Sequence, residues 1–252
     1  MPEKTAKKVR LDKLLFEKAI VESREKARAI ILEGNVLVNG MVVDKAGALV
    51  KSDATLAVKS KMPYVSRGGL KLEHAIKYLD IEIKGKTAMD VGASTGGFTD
   101  CLLQHGAKKI YAIDVGYGQF SWILRNDDKI VLLEKTNIRH LDHDLVFDEI
   151  DIATIDVSFI SLLKVLPKVS EFLNPSGTIV ALIKPQFEAG RKDVGKGGVI
   201  RSEKKRLEIV EMIKNESEEI GFNVIGITKS PLKGPKGNVE YFIYLEKKEV
   251  KD

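Results

Sequence analysis

The chain has 252 residues, 44% of which are apolar, and its formal net charge is +5. This composition supports a buried core and argues against a disordered chain. No apolar run approaches the roughly 20 residues of a membrane-spanning helix, and the N-terminus lacks the apolar stretch of a secretory signal. We therefore expect a cytoplasmic protein without a membrane partner. The single cysteine, Cys101, excludes an intrachain disulfide.

Positive charge is concentrated at the front of the chain. Residues 1–62 contain 13 Lys and Arg against 8 Asp and Glu, whereas the remaining residues are balanced. A basic segment favours phosphate backbones, because binding them releases counterions. Charge alone leaves two interpretations open, a nucleic-acid-binding segment and an ordinary solvated surface.

Residues 10–33 carry apolar side chains at the spacing of two helices. Ser23 lies where the second helix needs an N-cap, since its side chain can accept a backbone hydrogen bond. Lys26 and Arg28 follow in the first turns, where cations oppose the helix dipole. That placement favours an external anion as their partner.

The dipeptide Asn39-Gly40 lies between two short apolar segments, residues 36–38 and 41–43. It is typical of two-residue hairpin turns, because both residue types tolerate positive φ angles. A hairpin is therefore predicted, with a third strand at residues 54–58.

Three motifs of this region resemble the S4-type RNA-binding domain. They are Arg-Leu-Asp-Lys-Leu-Leu at residues 10–15, Ser-Arg-Glu-Lys-Ala-Arg at 23–28 and Gly-Asn-Val-Leu-Val-Asn-Gly at 34–40. The resemblance implies a small α+β RNA-binding domain over residues 1–62, with basic residues of the second helix and its surroundings against RNA. The candidates are Arg10, Lys13, Arg24, Lys26 and Arg28. The alternative for each of them is an ordinary surface charge.

From Thr87 onward, predicted strands and helices alternate, which indicates an α/β domain with a mostly parallel sheet. A polar loop at residues 229–239 joins the last two strands and leaves no room for a helix, so the final strand should be antiparallel. Helices are predicted at residues 98–105, 161–173 and 202–220, and another before the first strand. The strands are predicted at residues 87–91, 110–115, 130–133, 150–156, 178–183, 223–228 and 240–245. Seven strands with a reversed last strand resemble the Rossmann-like fold of class I methyltransferases, here over residues 63–252.

A glycine-rich turn follows the first predicted strand, with the spacing Gly92-x-x-x-Gly96-Gly97. This spacing differs from the G-x-G-x-x-G pattern of dinucleotide-binding proteins. Asp114 ends the second strand, where a carboxylate can accept hydrogen bonds from both ribose hydroxyls of an adenosine. Asp90 could receive the amino group of a methionine moiety.

The glycine turn and the two carboxylates resemble the S-adenosylmethionine site of class I methyltransferases. The resemblance implies this cofactor, and it places Asn137 at the adenine. The alternative is that Asp90 and Asp114 only cap turns. The candidate cofactor contacts are Asp90, Gly92, Ala93, Ser94, Thr95, Gly96, Gly97, Phe98, Thr99, Asp114, Val115, Asn137 and Asp156.

Charged side chains end two of the predicted strands and begin the reversed one. Ligands of open α/β sheets bind at the carboxyl ends of the strands, where Asp156 and Lys184 lie. Glu240 reaches the same edge, because the final strand runs backwards. Lys71 lies on the helix before the first strand, and periodicity alone would make it a surface lysine.

Lys71, Asp156, Lys184 and Glu240 match the Lys-Asp-Lys-Glu tetrad of the FtsJ-like ribose 2′-O-methyltransferases. The motifs at residues 64–69, 156–161, 184–188 and 194–199 are more similar still to the hemolysin A (TlyA) type of ribosomal RNA 2′-O-methyltransferase. This resemblance implies methyl transfer to a ribose 2′-hydroxyl of ribosomal RNA or ribosomal subunits, with cytidine as the target. Our hypothesis is that Lys184 is the proximal base or alkoxide stabiliser, while Lys71 and Glu240 position the ribose.

Further basic residues near the predicted site are candidate RNA contacts, namely Arg67, Arg191, Lys192 and Lys196. The last three belong to a glycine-rich segment that could equally be a solvated loop. Cys101 and Trp122 are predicted to pack in the interior, and no metal site is expected, since His140 and His143 have no further ligand candidates. Two other functions stay open, a membrane-damaging hemolysin and a non-catalytic RNA-binding ribosome assembly factor. The oligomeric state and the target ribosomal subunit stay open as well.

Overall fold

A computed structural model describes residues 7–58, 62–190, 194–195, 197–234 and 236–248. The chain divides into two units, Met1–Met62 and Pro63–Asp252. No helix within the described ranges is both long enough and apolar enough to cross a membrane.

The first unit packs two helices against short strands. Ser23 caps the second helix by accepting a hydrogen bond from the backbone N–H of Lys26 at 3.1 Å, which confirms the predicted N-cap. Leu11 and Leu15 of the first helix and Ile31 of the second are fully buried in the shared core. The elements are β1 (Lys8–Arg10), α1 (Leu11–Glu17), α2 (Arg24–Leu32), β2 (Val36–Val38), β3 (Met41–Val42), β4 (Leu49–Lys51) and β5 (Leu56–Val58).

The predicted hairpin is confirmed by the antiparallel pairing of β2 with β3. Asn39 and Gly40 have φ angles of 50° and 82°, as a type I′ turn requires. β5 pairs with the other edge of β2. The sequence did not reveal the pairing of β1 with β4, because each has three mostly exposed residues and therefore no alternating apolar pattern.

The second unit is built around one sheet of seven strands. Its strands are β6 (Thr87–Val91), β7 (Lys109–Ile113), β8 (Ile130–Leu133), β9 (Ile150–Ile155), β10 (Leu173–Ile183), β11 (Phe222–Lys229) and β12 (Tyr241–Lys247). Its helices are α3 (Arg67–Tyr78), α4 (Gly97–Gln104), α5 (Trp122–Arg125), α6 (Leu166–Ser170), α7 (Pro185–Glu188) and α8 (Glu203–Glu219), with 3-10 turns at Ile138–His140, His143–Leu145 and Leu162–Lys164.

The strand order in this sheet is β11-β12-β10-β9-β6-β7-β8. β6, β7, β8, β9 and β10 are parallel, whereas β12 is antiparallel to both of its neighbours, which confirms the predicted reversal. Two apolar cores cover the two faces of the sheet. The carboxyl ends of β6, β7, β9 and β10 and the start of β12 therefore meet at one edge.

Two predictions for this unit were wrong. The single helix over residues 161–173 is instead a 3-10 turn followed by α6, because Pro167 has no N–H to donate and cannot lie inside a longer helix. Trp122 is 73% exposed rather than packed. Trp122 begins α5, which has only four residues. The side chains of this segment that are buried are those of Phe120 and Leu124.

Candidate active site

Two cavities open at the sheet edge where the strand ends meet. The larger has a volume of about 910 Å³ and the smaller about 460 Å³. Gly92, Ser94 and Asp156 line both of them. The two cavities therefore meet at the turn after β6 and the end of β9, where the sequence placed its candidate residues.

The glycine turn after β6 brings two backbones into contact. Gly92 has a φ of +87°, and a Cβ there would lie 2.6 Å from the carbonyl oxygen of Asp156. A Cβ on Gly97 would collide with the hydroxyl of Ser66, just before α3. Any residue larger than glycine would therefore displace the end of β9 or the start of α3.

Asp114 at the end of β7 lines the larger cavity and also closes its own turn. Its carboxylate accepts hydrogen bonds from the backbone N–H of Ser94 at 2.7 Å and of Gly116 at 2.6 Å. The Gln119 side chain donates a third at 3.1 Å. Since a carboxylate accepts about four hydrogen bonds, Asp114 is fixed in position and still able to accept a ribose hydroxyl. Both interpretations of this residue, turn cap and ligand acceptor, fit its geometry.

Asp90 departs from the prediction that it meets a methionine amino group. Its side chain is fully buried and lines neither cavity. Hydroxyls of Thr99 and Thr154 donate to its two oxygens at 2.6 and 3.1 Å. Asp90 thus ties β6 to α4 and β9 from inside the unit. Burial raises the pKa of Asp90 to about 7.

The other predicted cofactor contacts divide into two groups. Ten of them line at least one cavity, whereas Gly96 and Thr99 lie behind the wall, as Asp90 does. Gly96 faces Leu124 and Phe120 instead of the cavity. The lining candidates are Gly92, Ala93, Ser94, Thr95, Gly97, Phe98, Asp114, Val115, Asn137 and Asp156.

The four residues of the candidate tetrad form two ion pairs. Lys184 lies 2.5 Å from Asp156, and its ammonium also donates to the Ser158 hydroxyl at 2.9 Å. Lys71 lies 2.7 Å from Glu240. The side chains of Lys184, Lys71 and Glu240 are only 10%, 12% and 1% exposed, so both pairs are largely shielded from water.

The smaller cavity is where the two pairs approach each other. Lys71 and Asp156 both line it. Gly234 also lines it, and a Cβ on Gly234 would collide with the Glu240 carboxylate directly behind. One member of each ion pair therefore faces this cavity, and each lysine is held by its own carboxylate.

Several polar and aromatic groups of this edge escaped sequence reasoning. Gln186 donates to the second oxygen of Glu240 at 3.5 Å. Phe159 is 90% exposed, has a positive φ of 64°, and packs its ring 4.8 Å from Phe187 on the wall of the larger cavity. An exposed aromatic residue with a strained backbone indicates a functional constraint. The available signal was that Phe159 and Phe187 each follow the strand-end charge, Asp156 or Lys184, by three residues.

The basic candidates of this unit lie close to the smaller cavity where they are described. Arg67 lines it at the start of α3, and Lys233 lines it from the loop before β12. Arg191, Lys192 and Lys196 lie outside the described residues.

The candidate RNA contacts of the first unit differ in the carboxylates with which they pair. Arg10, Arg24 and Arg28 surround the buried carboxylate of Asp12. Lys13 pairs with Glu17 at 3.4 Å. Arg28 thus already has an internal carboxylate as a partner, and an external anion for its remaining donors stays a prediction.

A reversed seventh strand, a glycine turn after the first strand and a carboxylate after the second define a Rossmann-like methyltransferase that uses S-adenosylmethionine. The FtsJ-like methyltransferase family matches residues 64–247, and the S4 domain matches residues 9–56. The chain belongs to the FtsJ-like methyltransferase family and carries an S4 domain at its front.

Relatives match nearly the whole chain. YqxC of Bacillus subtilis, named as a candidate rRNA methyltransferase, is 46% identical and covers 96% of this chain and 86% of its own. The 16S/23S rRNA (cytidine-2′-O)-methyltransferase TlyA of Mycobacterium tuberculosis is 40% identical, over 95% of this chain and 90% of its own. A solved structure of a candidate hemolysin from Streptococcus thermophilus is 40% identical with a TM-score of 0.75, covering 97% of this chain and 90% of its own.

Replacing Gly92 with Ala should abolish binding of S-adenosylmethionine, because the added Cβ must push the turn away from the Asp156 carbonyl. Gly85→Ala is the matched control, since Gly85 also has a positive φ of +77° but open space around it. Both variants carry the cost of a left-handed alanine, about 1–2 kcal/mol. Denaturant unfolding and calorimetric cofactor titration should show the larger loss only for Gly92→Ala. Equal losses in both variants would contradict the steric argument.

Asp90→Asn should make the chain less sensitive to pH. The folded state raises the pKa of Asp90 to about 7 from its ordinary 3.8, so folding favours the protonated carboxyl. Its contribution to the free energy of unfolding is therefore complete below the unfolded pKa and is lost as pH rises towards 7. The Tm of Asp90→Asn relative to wild type should increase from about pH 4 to about pH 7. A difference in Tm that stays constant with pH, as expected for the exposed control Asp128→Asn, would rule this out.

Proposed function

We propose that this chain transfers a methyl group from S-adenosylmethionine to a ribose 2′-hydroxyl of ribosomal RNA, with cytidine as the target nucleotide. The observation that carries the proposal is the pair of shielded lysine–carboxylate contacts around a cavity that adjoins the glycine turn. Residues 63–252 would perform the transfer, and residues 1–62 would bind RNA. A ribosomal substrate would place the protein in the cytoplasm.

The two cavities fit the two ends of the cofactor. The larger one offers the Asp114 carboxylate to ribose hydroxyls and the Asn137 side chain to the adenine edge. The smaller one offers Arg67 and the backbone at the start of α3, which suit the negative charge of a methionine carboxylate. When bound, the cofactor supplies a methyl group already activated on a sulfonium. The chain must therefore align the acceptor oxygen and manage its proton.

Lys184 is suited to the acceptor oxygen. Its ammonium is fixed by Asp156 on one side and by the Ser158 hydroxyl on the other. A pre-organised ammonium stabilises charge that develops on an oxygen without reorganising during the reaction. Lys184 would hold the 2′-oxygen as its proton leaves, while Asp156 would keep Lys184 in place at the junction of the two cavities.

Lys71 and Glu240 would position the ribose. They join α3 to the start of β12 across the smaller cavity, and Gln186 steadies Glu240 from behind. Alignment of bound reactants can supply roughly 7–11 kcal/mol of the barrier. The aromatic surface of Phe159 and Phe187 on the wall of the larger cavity, near Lys184, would give the target base an apolar contact.

The direct test measures transfer of a labelled methyl group from S-adenosylmethionine to purified ribosomal subunits, followed by mapping of 2′-O-methyl positions. We expect label on cytidine ribose. Label on a base would refute the proposed acceptor atom. Cofactor binding without any transfer to RNA would favour a non-catalytic assembly role, and lysis of erythrocytes without transfer would favour a hemolysin.

Lys184→Ala should lower kcat by about 10²-fold or more while leaving cofactor affinity nearly unchanged, because the lost ammonium acts on the acceptor oxygen. Single-turnover methyl transfer and calorimetric titration with S-adenosylmethionine separate the two effects. Loss of cofactor affinity with an unchanged chemical step would sink this role for Lys184.

Lys71→Ala should also reduce methyl transfer, through misplacement of the ribose. Lys77→Ala is a matched control on the same helix, because Lys77 pairs with Glu73 at the surface, with 68% of its side chain exposed. The measurement is the methyl-transfer rate of each variant on the same ribosomal subunits. The interpretation fails if both variants lose the same activity, since α3 itself would then be disturbed.

A further inference from the structure

Asp12 in the first unit is a buried carboxylate surrounded by three arginines. Arg10 donates two hydrogen bonds to it, from Nε at 3.0 Å and from Nη2 at 2.9 Å. Arg24 donates from Nη2 at 3.1 Å, and Arg28 donates from Nε at 3.2 Å. The backbone N–H of Lys13 adds a further hydrogen bond at 2.8 Å. One acidic side chain thus fixes three guanidinium groups that come from two elements, β1 and α2.

The charges of this cluster do not balance. Asp12 is 0% exposed, whereas the side chains of Arg10, Arg24 and Arg28 are 47%, 41% and 51% exposed. Three positive charges face the single carboxylate of Asp12, and Glu25 nearby offsets part of the excess through its interaction with Arg24 and Arg28. Each guanidinium carries five N–H donors, and Asp12 uses at most two from any one of them. Most of the donors are therefore not occupied by Asp12.

Such an arrangement is poorly explained by stability alone. Three guanidinium groups at one point repel each other, and burying a carboxylate costs free energy that its partners only partly offset. Hydrogen bonds from the arginines, that of Arg10 above all, nevertheless hold the pKa of Asp12 well below its usual range. Asp12 therefore keeps its charge, and the three arginines keep their positions, at neutral pH.

We propose that Asp12 is a positioning residue that holds Arg10, Arg24 and Arg28 together as one pre-organised binding site for RNA phosphate groups. The inference rests on the proposed function, in which RNA is the substrate. Guanidinium groups bind phosphate through a planar fork of donors, and groups that are already oriented lose less entropy on binding. The ammonium groups of Lys13 and Lys26 lie outside this cluster, and that of Lys13 pairs with Glu17 instead.

For one variant, net charge alone and pre-organisation of the arginines predict opposite changes in RNA affinity. Asp12→Asn adds one positive charge to the unit and should strengthen RNA binding if net charge decides the affinity. If pre-organisation decides it, the same variant should weaken binding, because the arginines lose their common anchor. Asp44→Asn changes the charge by the same amount at an exposed position of this unit and serves as the matched control.

The experiment measures the Kd of the full chain for purified 16S and 23S ribosomal RNA between about 50 and 200 mM salt. We expect Asp12→Asn to bind roughly tenfold more weakly, with a shallower salt dependence, since lost phosphate contacts lower that slope by about one each. Asp44→Asn should bind as tightly as wild type or slightly more tightly. Equal affinities for the two variants would overturn the proposal.

A second set of variants separates positioning from folding. Changing Arg10, Arg24 and Arg28 together to Lys keeps every charge and removes the planar donors from half-exposed side chains. We expect the same loss of affinity, and no further loss when Asp12→Asn is added to this triple variant. An unchanged Kd for the triple variant would overturn the proposal even if Asp12→Asn does not fold. The proposed function fails separately, if the wild-type chain transfers no methyl group to these RNAs.

Discussion

The ion pair between Lys71 and Glu240 is the contact on which the candidate site depends. It joins residues that are 169 positions apart in the chain, and it exists because the last strand of the sheet runs backwards. A parallel β12 would put Glu240 at the opposite edge, far from α3. A shielded ion pair contributes little net stability, because desolvation offsets the attraction between the charges. The value of this pair therefore lies in the geometry that it imposes on the cavity.

The second ion pair, between Lys184 and Asp156, also brings two oppositely charged side chains together at this edge of the sheet. Parallel neighbours β9 and β10 end side by side, so the residue that follows one strand faces the residue that follows the other. Phe159 in the loop after β9 and Phe187 in α7 after β10 extend the site with apolar surface. The charges of this pair therefore come from strand ends, and the aromatic contacts come from the segments that follow them. This arrangement suits a reaction that needs alignment of one acceptor oxygen.

Much of this arrangement could be predicted from the sequence, because topology determines it. Asp114, Asp156, Lys184 and Glu240 were placed at one edge by the rule that ligands bind at strand ends. Lys71 could be found only through the family resemblance, since nothing in the periodicity of α3 distinguishes it from a surface lysine. In one case, that of Asp90, position at a strand end led to a wrong prediction of where the side chain lies. Asp90 is the next-to-last residue of β6, and its side chain turns inward to Thr99 and Thr154. Spacing in the sequence cannot reveal which way a side chain turns.

Asp12 shows a similar limit of the sequence, since two of its arginine partners, Arg24 and Arg28, lie on α2 and become its neighbours only after folding. At the junction of the cavities, the contact between Gly92 and the backbone of Asp156 has a further consequence. The carbonyl that touches the glycine turn and the carboxylate that holds Lys184 belong to one residue. The position of the glycine turn and the position of the Lys184 ammonium therefore both depend on Asp156. A substitution that displaces the Asp156 backbone would disturb the wall of the cavities and the ion pair together.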